Sequence, residues 1–229
     1  QHFLREARLT GRLDHPNIVP VHDIGVDEQG RPYYKMKRIE GESLAAFIKG
    51  GQVWSRTERL QVFLKVWDAI GFVHAEGIVH RDLKPANIMV GAHGEVLIVD
   101  WGLARAIGEP GSGSTNFFTG DSHTSVVGTP GYMAPEQARG EASLQNECTD
   151  IYALGALLHI MLTGKSFYRD GAAALAAARR GDIPPVGAHD ALFPKELRSV
   201  VLKACQPLAT QRFLSVAVMR AEIVRFMED

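Results

Sequence analysis

The chain has 229 residues, of which 45% are hydrophobic and 22% charged, with a net charge of −1. This is an ordinary globular balance, long enough for one large domain or two small lobes around a sizeable core. No global field would hold such a chain on nucleic acid or an anionic membrane, so neither is an expected partner.

Two cysteines, Cys148 and Cys205, have no CxxC neighbour and read as reduced thiols. The longest apolar run, Ile151 to Leu162, contains Gly155 and His159 and falls short of the about 20 residues that span a bilayer. No signal peptide is visible. The chain begins at Gln1, so it is expected to start inside a longer, cytoplasmic protein, with room for a membrane tether outside the fragment.

In chain order, residues 2–13 place Phe3, Leu4, Ala7, Leu9 and Leu13 at roughly helical spacing, ended by Asp14-His15-Pro16-Asn17. Two β-like stretches, Ile18–Ile24 and Arg31–Ile39, flank a polar Asp27-Glu28-Gln29-Gly30 turn and predict a hairpin. Residues 43–49 read as a short helix. Residues 56–76 read as a longer one, with Leu60, Phe63, Leu64, Trp67, Ile70 and Val73 on one stripe. Short strands are predicted at Ile88–Val90 and Val96–Val99. Residues 105–130 are rich in Gly, Ser and Thr without a period, and a long loop inside a compact domain is usually functional. The remainder from 145 reads as mostly helical, broken at Gly164-Lys165, Ile183–Val186 and Pro194. A small mixed segment followed by a large helical one is an α+β layout.

The chemistry concentrates between residues 80 and 136. Asp82 is a carboxylate on a loop after a helix, suited to orient a hydroxyl and accept its proton. Lys84 can place an ammonium near a transferring phosphoryl group, and Asn87 and Asp100 offer the hard oxygen ligands that Mg²⁺ prefers. His80-Arg81-Asp82-Leu83-Lys84-Pro85-Ala86-Asn87, Asp100-Trp101-Gly102 and Ala134-Pro135-Glu136 occur in an order and spacing that resemble a protein kinase catalytic domain. The wording Pro135-Glu136-Gln137-Ala138-Arg139-Gly140 is most similar to bacterial kinases of the eukaryotic-like (Hanks) type.

That resemblance covers nearly the whole chain. It implies a bilobal kinase-like fold with a truncated small lobe, which retains its C-helix and its fourth and fifth strands, and a complete, mainly helical large lobe. Residues 1–39 would be the small-lobe remnant and start of the hinge, and residues 40–229 the large lobe. The implied activity is transfer of the ATP γ-phosphoryl group to Ser/Thr hydroxyls of protein substrates. Asp82, Lys84, Asn87, Asp100 and Thr129 would act in catalysis, and Asn87 and Asp100 would hold Mg²⁺. ATP would meet Met36 as gatekeeper, the backbone of Lys37 and Ile39, and Met89 below the base; both methionines are expected to be buried. Glu6 would be the partner of the family's ATP-binding lysine. Lys84 and Thr129 point to the serine/threonine class. Arg81 would pair with a phosphate on the loop, with Thr124, then Ser125 and Ser122, as sites of autophosphorylation through self-association. Gln211-Arg212-Phe213 resembles the family's late arginine, which would pair with Glu136.

Two departures stand out. The glycine-rich loop and the ATP-binding lysine lie outside this chain, so the fragment as it stands is expected to be a poor enzyme. Trp101 replaces the usual Phe and brings an indole N–H that wants a partner if buried. The alternative to an enzyme is a pseudokinase acting as a binding module; the presence of Asp82, Lys84, Asn87 and Asp100 together argues against it.

Overall fold

The computed structural model describes residue 6 and residues 9–51, 54–107, 128–168, 172–186 and 193–228. Glu6, Leu9 and Thr10 are helical, as expected at those positions; Gly11 to Leu13 are turn and coil, and residues 1–5, 7 and 8 lie outside the described residues. Strands β1 (Val21–Val26) and β2 (Pro32–Met36) form the expected antiparallel hairpin, pairing Ile24 with Tyr34 and Val26 with Pro32. Its turn is tied by Asp27, whose Oδ1 accepts from the backbone of Gln29 and Arg31. Ile18 does not join β1. It bridges Ile98 instead, and Val19 N–H donates to the Ile98 carbonyl.

Strand β3 (Gly41–Ser43) runs directly into α1 (Leu44–Lys49), capped by the Ser43 hydroxyl. Helix α2 (Arg56–Ala75) opens with a reciprocal capping box between Ser55 and Glu58. Its buried stripe contains Leu60, Phe63, Trp67, Ile70 and Val73 as expected. Val66 and Ala69 belong to it too, whereas Leu64 is only partly buried. The stripe is wide because neighbours cover the helix on more than one side.

Strands β5 (Ile88–Gly91) and β6 (Val96–Ile98) are the predicted pair, and β3 completes a three-stranded antiparallel sheet on the other edge of β5. Strands β4 (Ile78–Val79) and β7 (Arg105–Ala106) are two-residue elements that pair only with each other. The stretch read as a loop from 105 thus begins as strand, because a distant segment supplies its hydrogen bonds.

Helix α3 (Pro135–Ala138) is one turn, and α4 (Glu147–Thr163) is buried almost all round. Asn146 caps α4 and exchanges hydrogen bonds with Thr149, and the helix ends at Gly164 as expected. Helix α5 (Ala172–Arg180) packs on α3, α6 (Lys195–Ala204) packs on α4, and α7 (Val216–Glu228) packs on α2 and α6. Gly155 makes the α4–α6 approach feasible: a Cβ there would stand 2.6 Å from Cys205 Sγ and 2.8 Å from Ala204 Cβ. The core runs from α2 through α4 to α6 and α7, and the loops beside this rigid block carry the polar residues of interest. Among the described residues no helix is long and apolar enough to cross a membrane.

Candidate active site

The polypeptide from β4 to β5 is held from beneath by Asp150, on the first turn of α4. Its fully buried carboxylate accepts from the backbone N–H of His80 (2.8 Å) and of Arg81 (2.9 Å), and pairs with His74 Nε2 at 2.9 Å. Burial pushes the Asp150 pKa up, but the His74 hydrogen bond and charge outweigh it and hold it below its ordinary value. Arg81 takes a left-handed φ of 71°, a conformation that a non-glycine residue keeps only when its surroundings impose it. Two clamps impose it here: Asp150 on its N–H, and the Gln137 side chain, which donates to its carbonyl from α3.

That backbone turn presents Asp82. Its Oδ2 accepts from Lys84 Nζ at 2.6 Å and from Asn87 Nδ2 at 3.1 Å; its Oδ1 accepts from Thr129 Oγ1 at 3.4 Å. One oxygen is held by a cation and an amide, and among the described residues the other has only a long contact to a hydroxyl. This arrangement can receive a second hydroxyl and its proton. Asn87 also donates to the Asp82 carbonyl, which commits its amide nitrogen and leaves Oδ1 as the oxygen that could serve a cation.

Asp100 follows β6 and is exposed, also at a left-handed φ, 65°. Its Oδ1 takes a 3.3 Å contact from Gly102 N–H. The carboxylate of Asp100 and the amide oxygen of Asn87 are hard donors suited to Mg²⁺. Among the described residues no group of three or more His, Cys, Asp or Glu could cage a metal. Two protein oxygens with the remaining positions left to phosphate and water is the way Mg²⁺ is commonly bound, so the residues fit that ion.

Glu6 reaches the same place from the N-terminal helix. It accepts from Tyr34 Oη at 3.4 Å, and its Oε2 lies 3.5 Å from where a Cβ on Gly102 would stand. Burial, then the neighbouring Asp100 carboxylate, raise its pKa. Trp101 is buried and packs against the His80 ring with centroids 4.6 Å apart. Its indole N–H has no hydrogen-bond partner among the described residues, so the expected partner is absent there. His80 Nδ1 accepts from Asp82 N–H at 3.2 Å, which places the ring proton on Nε2, and that atom is likewise unpartnered among the described residues.

Thr129 sits beside Asp82 because the segment behind it is seated firmly. At Gly128, φ is 123° and a Cβ would come within 2.9 Å of Gln137 Nε2, so only glycine passes there without strain. Glu136, next to Gln137, forms the expected ion pair with Arg212, at 2.8 Å through both oxygens.

Two expectations about the cleft are corrected. Met36 is 50% exposed rather than buried, because β1 and β2 form a sheet of two strands only and none of the described residues covers that end of β2. Met89 is half-buried, because β5 turns Ile88 and Val90 inward and the strand period puts Met89 on the opposite face. Lys37 N–H is engaged by the Pro20 carbonyl; Ile39 has no backbone partner among the described residues. Thr124, Ser125 and Ser122 lie outside the described residues. The sequence reading missed His74 and Gln137 as supports of the catalytic-type loop. A histidine six residues before His80, with an Asp opening the buried helix, was the available signal.

The protein kinase domain family matches residues 1–216. The chain belongs to that family. Serine/threonine-protein kinase PknB of Mycolicibacterium smegmatis is 35% identical to this kinase domain over 232 residues, covering 99% of this chain and 36% of its own length. PknB of Mycobacterium tuberculosis is 36% identical, covering 97% and 35%. Serine/threonine-protein kinase PknD of Chlamydia abortus is 36% identical, covering 99% and 26%. The chain therefore spans about a third or less of the length of these relatives.

The clamp that holds this kinase loop predicts a pH response. His80 is fully buried, and burial lowers its pKa from the ordinary 6.5; His15 and His159 shift in the same direction, also through burial. These rings resist protonation when folded but not when unfolded, so stability should fall as pH drops below 6.5. Asp150 and Glu136, both held below their ordinary values, add a second loss at lower pH as they protonate. Thermal unfolding midpoints measured from pH 7 downward should decline in these two stages; a flat profile would refute the assignment.

Proposed function

We propose that this chain is the catalytic domain of a bacterial serine/threonine protein kinase, one that transfers the ATP γ-phosphoryl group to Ser or Thr hydroxyls of proteins. In this reading residues 1–39 form the small-lobe remnant and hinge start, and residues 40–229 the large lobe. The carrying observation is the Asp82 carboxylate, fixed through Oδ2 by Lys84 and Asn87 and open through Oδ1 beside Thr129. Asp82 orients the substrate hydroxyl and accepts its proton. Lys84 brings positive charge to the phosphoryl group, and Thr129 steadies Asp82 from the substrate side. Asn87 and Asp100 are the ligands of Mg²⁺, which when bound offsets the charge of the phosphates.

Adenine would lie between the Lys37 and Ile39 backbone and the half-buried face of Met89, with Met36 at the back. Glu6 would complete the nucleotide site as partner of a lysine. Autophosphorylation at Thr124, Ser125 or Ser122, read out through Arg81, and a cytoplasmic location belong to the same reading.

Asp100 carries a full charge where Asn87 offers only a dipole. Replacing Asp100 by Ala should therefore remove Mg²⁺-dependent ATP binding while leaving the helical core folded. Calorimetric titration of the intact protein with ATP, with and without Mg²⁺, checks this. An unchanged Mg·ATP affinity would overturn the metal assignment.

A further inference from the structure

Between α1, the start of α2 and the end of α4 lies a half-open cavity of about 160 Å³, away from Asp82 and its neighbours. Its walls are apolar: Phe47 and Ile48 on α1, Trp54 just before α2, and Ile160 and Met161 on α4. The Phe47 and Trp54 rings lie against each other with centroids 3.6 Å apart. Arg59, on the first turn of α2, is the charged side chain in this lining, and no Asp or Glu among the described residues lines it. Arg59 is half-buried. Its Nε donates to the Trp54 carbonyl and its Nη1 to the Met161 carbonyl, one of the last carbonyls of α4, which have no helical partner. These two bonds hold the guanidinium in place. Among the described residues Nη2 has no partner and Arg59 forms no ion pair.

We infer that this cavity is a binding site for a small apolar carboxylate, with its hydrocarbon part among Phe47, Ile48 and Ile160 and its carboxylate on Arg59 Nη2. The walls supply burial for a hydrocarbon, and the fixed guanidinium supplies charge-assisted donors for an oxyanion. Charge complementarity selects an acid over an alcohol or amine of the same shape, because the cation there lacks a counter-charge. The volume sets the size at about one ring, since a cavity of about 150 Å³ holds a benzene. The location gives such a ligand a consequence. Helix α1 packs on the Pro85–Asn87 turn, so the occupant sits one helix away from Asn87 and can act on the loop as an effector. Binding itself requires neither nucleotide nor Mg²⁺.

The test is calorimetric titration of the intact protein with phenylacetate, which should fill one saturable site with a Kd of about 1 mM or tighter. Phenylacetamide has the shape without the charge, and acetate the charge without the ring; each should bind at least about tenfold more weakly. Arg59→Gln should weaken phenylacetate by about tenfold and leave phenylacetamide unchanged. Because Arg59 also ties the end of α4, thermal unfolding is measured alongside. Ile48→Trp fills the cavity from α1, leaves Arg59 intact and should abolish binding of both compounds. The assignment is overturned by any of four results: no saturable binding of phenylacetate, equal affinity for phenylacetamide, full binding by a folded Arg59→Gln protein, or full binding by the Ile48→Trp protein.

Discussion

Replacing Asp82 by Asn should lower phosphoryl transfer by about 10²–10⁴-fold, the value of one well-placed general base. The substitution keeps the shape of the side chain. Asn can still offer an oxygen to Lys84 and Asn87, as Asp82 Oδ2 does at 2.6 and 3.1 Å. What it loses is a basic oxygen at the Oδ1 position, which among the described residues has only the 3.4 Å contact from Thr129. An amide there presents N–H groups to the incoming hydroxyl and cannot take its proton. The fold should be unaffected, because the clamps on this loop act on its backbone and not on this carboxylate. Transfer of labelled phosphate from ATP to a Ser/Thr substrate, measured beside a thermal melt, checks both halves. Turnover within a few fold of the native protein would remove Asp82 from the role of proton acceptor.

Removing Arg212 should strongly destabilise the helical lobe, costing about 3–5 kcal/mol. All five guanidinium N–H groups are engaged. Nε donates to the Gln206 carbonyl, Nη1 to Glu136 and the Cys148 carbonyl, and Nη2 to Glu136 and the Pro207 carbonyl. The charge lies over the Tyr152 ring at 5.2 Å. Glu136 is as deeply enclosed and takes a further 3.0 Å hydrogen bond from Thr149. Truncating Arg212 to Ala leaves that carboxylate buried with one side-chain donor, the Thr149 hydroxyl, among the described residues, and removes a donor from three carbonyls. Replacing both charges by Met should cost less than the Arg212→Ala change alone, because no uncompensated charge is left behind. Chemical denaturation of the three proteins decides it. Equal stability of Arg212→Ala and the native chain would contradict the geometry. Since Glu136 adjoins Gln137, which holds the Arg81 carbonyl, the loss should also loosen the site.

Much of this protein was legible along the chain because its chemistry is local. His80 to Asn87 is one continuous loop, and the geometry of Asp82, Lys84 and Asn87 follows from a separation of at most five residues. Capping by Ser43, Ser55 and Asn146 is likewise set within three residues, so helix starts could be read directly. The Glu136–Arg212 pair, though distant in sequence, was accessible because Gln211-Arg212-Phe213 resembles the family's late arginine, and buried charges are normally paired.

Only the tertiary structure decided the rest, and in each case the cause is a partner far away in sequence. Strands β4 and β7 are too short to have a period and exist because each completes the other. The exposure of Met36 and the half-burial of Met89 depend on what covers each strand face, which hydrophobicity alone does not state. Asp150 gathers His74, His80 and Arg81 across about 70 residues. Tyr34 meets Glu6 across 28 residues, by a choice of strand face that a register slip of one residue would reverse. Residue types and local order determine which groups can carry the chemistry; long-range packing decides which of them are held in place to do so.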